Sequence, residues 1–125
     1  MDKLDGIFSH QKALDDFICE SRGLQDITMP EWIQKETLAM MSELAELIDE
    51  VNFKWWKNEK PVNEDLVKDE LVDILHFFVS MCLKTGMSPD ELFSRYMNKN
   101  KENHDRQHGI SKKEGYALSD IKRKK

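Results

Sequence analysis

Glycine and proline are scarce, with 5 and 3 residues in 125, against a usual share of roughly 12% combined. That excludes the many tight turns of a sandwich or barrel of short strands. No apolar run approaches the ~20 residues of a membrane span, so no membrane partner is expected. The opening Met1-Asp2-Lys3-Leu4-Asp5 has neither the apolar core nor the cleavage pattern of a secretory signal. A cytoplasmic protein is expected. Cysteine is limited to Cys19 and Cys82, each alone among apolar residues. They read as small buried hydrophobes and not as a disulfide framework. Basic residues are outnumbered, 19 against 24 acids, for a net charge of -5. Such a chain lacks the footprint of a non-specific nucleic-acid binder. To handle phosphates it needs a local basic patch or bound cations.

What is present favours helix. Mean hydropathy is -0.67, and 34% of residues are charged. Leu, Met, Glu and Lys outweigh the β-branched residues. Caps and breakers mark four stretches. The first runs from about Leu4 to Arg22, with Ile7, Phe8, Leu14, Phe17 and Ile18 on its apolar face and Gly23 as its stop. The second begins at the capping pattern Thr28-Met29-Pro30-Glu31 and extends to about Trp56, with a bend or break expected near Lys35. The third starts at Asn63 and ends at Lys84-Thr85-Gly86; the fourth opens at Ser88-Pro89-Asp90-Glu91 and fades after Asn103. From His108 onward a loop with a basic end is expected. Short connections between long amphipathic helices predict an all-α fold, an antiparallel bundle of four to five helices.

The third stretch is apolar on most sides, and Glu70, Asp73, His76 and Ser80 interrupt it at spacings of three, three and four. They share one stripe. In the second stretch Glu43, Glu46 and Glu50 do the same. Glu43-x-x-Glu46 and Glu70-x-x-Asp73 are separated by 23 residues, so an antiparallel hairpin can set both pairs face to face. Four facing carboxylates repel unless protonated or neutralised. All-oxygen ligation suits Mg²⁺, or Mn²⁺, over zinc, and Mg²⁺ held by carboxylates completes its shell with water and substrate phosphates. For one such pair a solvated acidic face would be the simpler reading; two pairs favour the metal. A single His76 on an apolar helix reads first as a hydrogen-bonded pocket residue.

Two further clusters follow. In Phe53-Lys54-Trp55-Trp56-Lys57 rings alternate with ammonium groups, which suits base stacking beside a phosphate; a core tryptophan beside snorkelling lysines is the alternative. Lys99, Asn103 and Arg106 share one helical face and suit a polyphosphate, or else simply complement the helix dipole. Leu75, Phe78, Val79 and Cys82 need more cover than one small bundle supplies, which predicts a homodimer through the third helix.

At these residues the chain resembles the all-α nucleoside triphosphate pyrophosphatases, and among them the dimeric dUTPase family. The E-x-x-E, spacer, E-x-x-D pattern also fits MazG-like and dCTP-hydrolysing relatives. The narrower likeness rests on Gln11-x-x-Leu14, on Glu46-Leu47-Ile48-Asp49 running into Phe53 to Lys57, on Glu70 to Phe77, and on Tyr96-x-x-Lys99-Asn100-x-x-Asn103-x-x-Arg106-Gln107. The resemblance implies Mg²⁺-dependent hydrolysis of dUTP to dUMP and diphosphate, with dUDP as a second candidate ligand, by a homodimer. It implies Glu43, Glu46, Glu70 and Asp73 as metal ligands, with Glu43 or Glu46 also orienting and deprotonating the attacking water. Gln11, Trp56, His76 and Phe77 match the deoxyuridine pocket, with Asp15 a further substrate-binding candidate; Lys57, Lys99, Asn103 and Arg106 match phosphate and sugar contacts. It further implies a catalytic domain over residues 1–108 and a tail over 109–125 that closes on the nucleotide.

Two departures from the family pattern stand out. Asp15 replaces an Asn carried by many members, and an acid can accept from a cytosine amino group. The Gly-Tyr that usually follows Arg-Gln closely is found only at Gly115-Tyr116. A dCTP-directed or broader pyrophosphatase is therefore the alternative substrate reading. A di-iron bundle would want two Glu-x-x-His motifs, and only Asp73-x-x-His76 approaches one. The non-enzymatic alternative is an acidic helical interaction protein.

Overall fold

The computed structural model describes residues 2–118. Among them it has four α-helices and no strand: α1 Lys3–Arg22, α2 Met29–Glu50, α3 Glu64–Lys84 and α4 Pro89–Gln107. Each start is made by the side chain of the residue before it. Asp2, Thr28, Asn63 and Ser88 accept from the backbone N–H of Asp5, Glu31, Leu66 and Glu91, which satisfies one orphan donor of each first turn. Gly23, at φ 66°, closes α1 in the left-handed conformation that only glycine adopts freely.

The chain forms two compact units, Met1–Met87 and Ser88–Lys125. In the first, α3 packs against both α2 and α1. Contacts between Glu36 and Ser80 and between Thr37 and Met81, with Glu43 against Glu70 further along, show that α2 and α3 run antiparallel. Gln11 meets His76 and Asp15 meets Ser80, so α1 runs parallel to α3. Its buried apolar side chains are Phe8, Val79 and Cys82. In the second unit, Ile110 N–H and Ser111 N–H return to Asp105 C=O. The Ser111 hydroxyl donates to Glu102 at 2.6 Å. These bonds group α4 with the segment after it within the second unit. Residues 119–125, including the basic end, lie outside the described residues. No described helix is long and apolar enough to cross a membrane.

Three expectations are corrected. Helix α2 is unbroken at Lys35: its amphipathic pattern shifts there because Glu36, a charged residue type, takes a buried position. It ends at Glu50, not near Trp56. Asn52 turns the chain at φ 60°, and its side-chain amide pairs both ways with the Lys60 backbone, at 2.8 and 2.9 Å. Finally, Val79 and Cys82 need no second chain to bury them, whereas Leu71, Val72, Leu75 and Phe78 remain exposed. Helix α3 is therefore less enclosed than its composition implies.

Candidate functional site

The antiparallel register of α2 and α3 brings carboxylate oxygens of Glu43, Glu46 and Glu70 within 4.8 Å of one another. Glu43 Oε2 and Glu70 Oε2 are buried and have no hydrogen-bond partner. Glu70 is pushed up from an ordinary 4.5 to about 7. Loss of water is the largest cause, followed by a side-chain hydrogen bond with Glu43 and the charges of Glu46, Glu43 and Asp73. Buried oxygens without donors are costly, and this arrangement is what a hard cation relieves. The oxygen-only donor set fits Mg²⁺ or Mn²⁺. Asp73, the fourth acid of the pattern, is exposed and stands outside the close triad, on the wall of the neighbouring cavity.

That cavity, of about 600 Å³, opens among α1, α2 and α3. Its wall includes four residues expected from sequence besides Glu43 and Asp73, namely Gln11, Asp15, His76 and Phe77. It also includes four to which the sequence alone gives no role: Trp32, Glu36, Ser80 and Lys84. These build a buried polar chain. The Ser80 hydroxyl is 2.7 Å from Asp15 Oδ2 and also contacts Glu36 Oε1. Lys84 Nζ reaches Ser80 Oγ at 2.9 Å, Asp15 at 3.5 Å and Glu36 at 3.6 Å, and lies 4.2 Å from the Trp32 ring centroid. Gln11 Nε2 donates to Asp15 Oδ1 at 3.0 Å, and Gln11 Oε1 is 2.6 Å from His76 Nδ1. Burial holds the Glu36 carboxyl above its ordinary range, against the opposing pull of Ser80 and Lys84. The signal in the sequence is periodic: Glu36 stands seven residues before Glu43, and Ser80 and Lys84 prolong the Glu70–Asp73–His76 stripe.

The aromatic-basic segment falls in the connection after α2. Trp56 is 62% exposed and stands edge to face with Trp55 and Phe53 at 4.6 and 6.2 Å between centroids. The core reading of Trp56 is thus excluded within this chain. Lys57 lines a smaller cavity at that turn with Lys54 and Lys60; the latter two are paired with Asp49 and Glu50. In the second unit Lys99 and Asn103 are exposed. Arg106 pairs with Glu102 at 3.0 Å and places its guanidinium 5.6 Å from the Tyr116 ring centroid.

Comparison with known proteins places this geometry in a family. A family profile described as dUTPase matches residues 3–89, which hold all three helices of the first unit. A dCTP pyrophosphatase of Enterobacteria phage T4 is 34% identical, over 58% of this chain and 51% of the relative. A dCTP pyrophosphatase of Enterobacteria phage LZ5 is also 34% identical, over 59% of this chain and 43% of that protein. The chain thus spans about half the length of the curated relatives it matches. No solved structure matches it significantly. With the matched region carrying both acid pairs and the polar cavity, the chain belongs to the dimeric, all-α dUTPase family.

Proposed function

We propose that the chain is a Mg²⁺-dependent pyrophosphohydrolase that cleaves a pyrimidine deoxynucleoside triphosphate, with water, to the monophosphate and diphosphate. The observation that carries this reading is the triad of Glu43, Glu46 and Glu70, with two buried oxygens left bare, beside a cavity of nucleoside size. When bound, Mg²⁺ or Mn²⁺ supplies charge neutralisation to the acids and the triphosphate. Glu43, Glu46 and Glu70 hold it, with Asp73 adjacent. Glu43, through its bare Oε2, orients the attacking water and accepts its proton. Gln11, Asp15, His76 and Phe77 take the base, and Trp56 offers it an exposed stacking face. Lys57 serves the phosphates, and in the second unit Lys99, Asn103, Arg106 and Tyr116 are the residues that the family likeness assigns to phosphate, sugar and nucleotide. The family name points to dUTP and the phage relatives point to dCTP.

The apolar flank of α3 formed by Leu71, Val72, Leu75 and Phe78 is covered by a second copy of the chain. Phe78→Asp should give a folded monomer by light scattering, whereas the parent should weigh about twice 14.8 kDa. An active, monodisperse parent monomer would sink the dimer. The enzymatic test is a panel of dUTP, dCTP, dTTP and UTP with and without Mg²⁺, read by diphosphate release. Diphosphate from dUTP or dCTP in Mg²⁺ alone supports the proposal. Release of orthophosphate, or turnover indifferent to chelator, overturns it.

A further inference from the structure

The wall of the cavity is a hydrogen-bond chain whose direction can be worked out proton by proton. Ser80 Oγ touches both Asp15 Oδ2 and Glu36 Oε1, yet a hydroxyl has one proton to give. Lys84 donates into the same hydroxyl oxygen. Ser80 therefore cannot serve two ionised carboxylates, and one of the acids must carry a proton of its own. Asp15 has donors on both oxygens, Gln11 on Oδ1 and Ser80 with Lys84 on Oδ2. Glu36 is buried, with Oε2 lacking any partner, and burial raises its carboxyl. The proton belongs on Glu36.

The rest of the chain then has one sense. Glu36 donates to Ser80, and Ser80 donates to Asp15. Asp15, an acceptor, fixes the Gln11 amide with its nitrogen inward. Gln11 Oε1 consequently faces His76 Nδ1, which must donate, leaving Nε2 as an acceptor. Lys84 donates to Ser80 and Asp15 and lies 3.6 Å from Glu36, over the Trp32 ring, so its ammonium group is engaged by the wall. Asp15, Gln11 and His76 line the cavity, and with this polarity Asp15 and His76 Nε2 are available to a ligand as acceptors and the second hydrogen of the Gln11 amide as a donor. An aminopyrimidine edge has two N–H bonds and an unprotonated ring nitrogen, which matches. An oxo-pyrimidine edge has one N–H between two carbonyls, and sets a carbonyl oxygen against an acceptor.

We infer that Glu36, Ser80 and Lys84 are positioning residues that lock Asp15 and His76 as acceptors, so that the pocket selects cytosine over uracil and dCTP over dUTP. This rests on the nucleotide reading of the cavity and chooses between its two substrates.

Calorimetric titration of the full chain with dCMP and with dUMP, in chelator, tests it apart from catalysis. The parent should bind dCMP at least about 30-fold tighter, because unpaired buried polar groups reject the wrong ligand strongly. Asp15→Asn, whose amide can turn a donor to the base, should bring that ratio to unity or below. Glu36→Gln donates to Ser80 as the neutral acid does, so it should keep the ratio within about 3-fold and keep the Nδ1–H tautomer of His76 in ¹⁵N NMR spectra. Glu36→Leu, which cannot donate, should lose both. A parent that binds dUMP as tightly as dCMP, or binds neither, overturns the inference. So does an Asp15→Asn variant with the parental ratio. Selective dCMP binding by a parent that releases no diphosphate from any triphosphate sustains the inference and sinks the pyrophosphohydrolase reading.

Discussion

Glu36 and Glu43 stand seven residues apart on α2, and both face α3 from buried or half-buried positions. Around Glu36 the fold supplies Ser80, Lys84 and, through them, Asp15 and Gln11. Around Glu43 it supplies only more acid, Glu46 and Glu70. The first cluster completes most of its own bonding; the second leaves two buried oxygens bare. One hairpin thus carries a polar cluster with a single bare oxygen, Glu36 Oε2, and, two turns away, an all-acid cluster with two. What separates them is a single cation, Lys84, present in one place and missing in the other. A chain that neutralises one acidic cluster with lysine and leaves its neighbour open has left that second site for something from solution.

The largest effect expected from breaking this contrast is at Lys84. Lys84→Met should cost about 3–5 kcal/mol, because it strands the Asp15 carboxylate in a mostly buried place. Urea titration in chelator measures it. A loss below about 1 kcal/mol would mean that the cluster is wetted and exchangeable, like a surface pair.

The converse holds at the open cluster. Glu46→Gln should lower turnover beyond the roughly 10–100-fold typical when a metal ligand's outer partner is lost. In metal-free buffer it should be no less stable than the parent, since it removes a repulsion. A marked drop in its chelator melting temperature would show that the acids serve an internal ion pair after all.

Next in size is Trp56→Ala. It should weaken nucleotide binding by about 1–3 kcal/mol, the worth of a lost base stack. Stability should change by about 0.5 kcal/mol or less, as for an exposed side chain. A large stability loss without change in nucleotide affinity would reverse its assignment.

The smallest effect separates the two clusters by pH. In chelator, Glu70 titrates near 7 in the folded chain against an ordinary 4.5. Between those values the folded chain holds a proton that the unfolded chain has released, so stability falls as pH rises through that window. Below it no penalty remains. Glu70→Gln should flatten this slope, and the slope that is left belongs to Glu36, raised in the same direction by burial. Melting curves from pH 4 to 8 read both. An unchanged slope in Glu70→Gln would remove Glu70 from the acidic triad.

Much of the fold and of the site is legible in the sequence, for identifiable reasons. The starts of α2, α3 and α4 are, because the Thr28, Asn63 and Ser88 caps act locally; α1 is placed to within a residue, without its Asp2 cap. The acid pairs are, because carboxylates recurring on an otherwise apolar helix need a partner that neutralises them. The polar chain behind the cavity is not. Asp15 lies in α1 and Glu36 in α2, and only packing against α3 brings them to Ser80. In sequence Glu36 looks like a disturbance of the helical pattern, whereas in the fold it is a buried member of it. The end of α2 is hidden because Phe53 to Lys57 continue a helical composition, and the stop is made by Asn52 bonding eight residues ahead to Lys60. Val79 and Phe78 look alike in sequence, yet Val79 is 1% exposed and Phe78 40%; only the placement of α1 distinguishes them.

The pairing of Asn52 with Lys60 has a consequence for how such a protein diversifies. It ties the base of the connection shut, so the residues between, which carry both exposed tryptophans, form a loop whose length and make-up are decoupled from the helices. Insertions or exchanges at 53–59 leave the register of α2 on α3 untouched, and with it the spacing of Glu43, Glu46 and Glu70. The hairpin tip, with its nucleotide contacts at Trp56 and Lys57, can be rewritten while the spacing of the acids stays fixed.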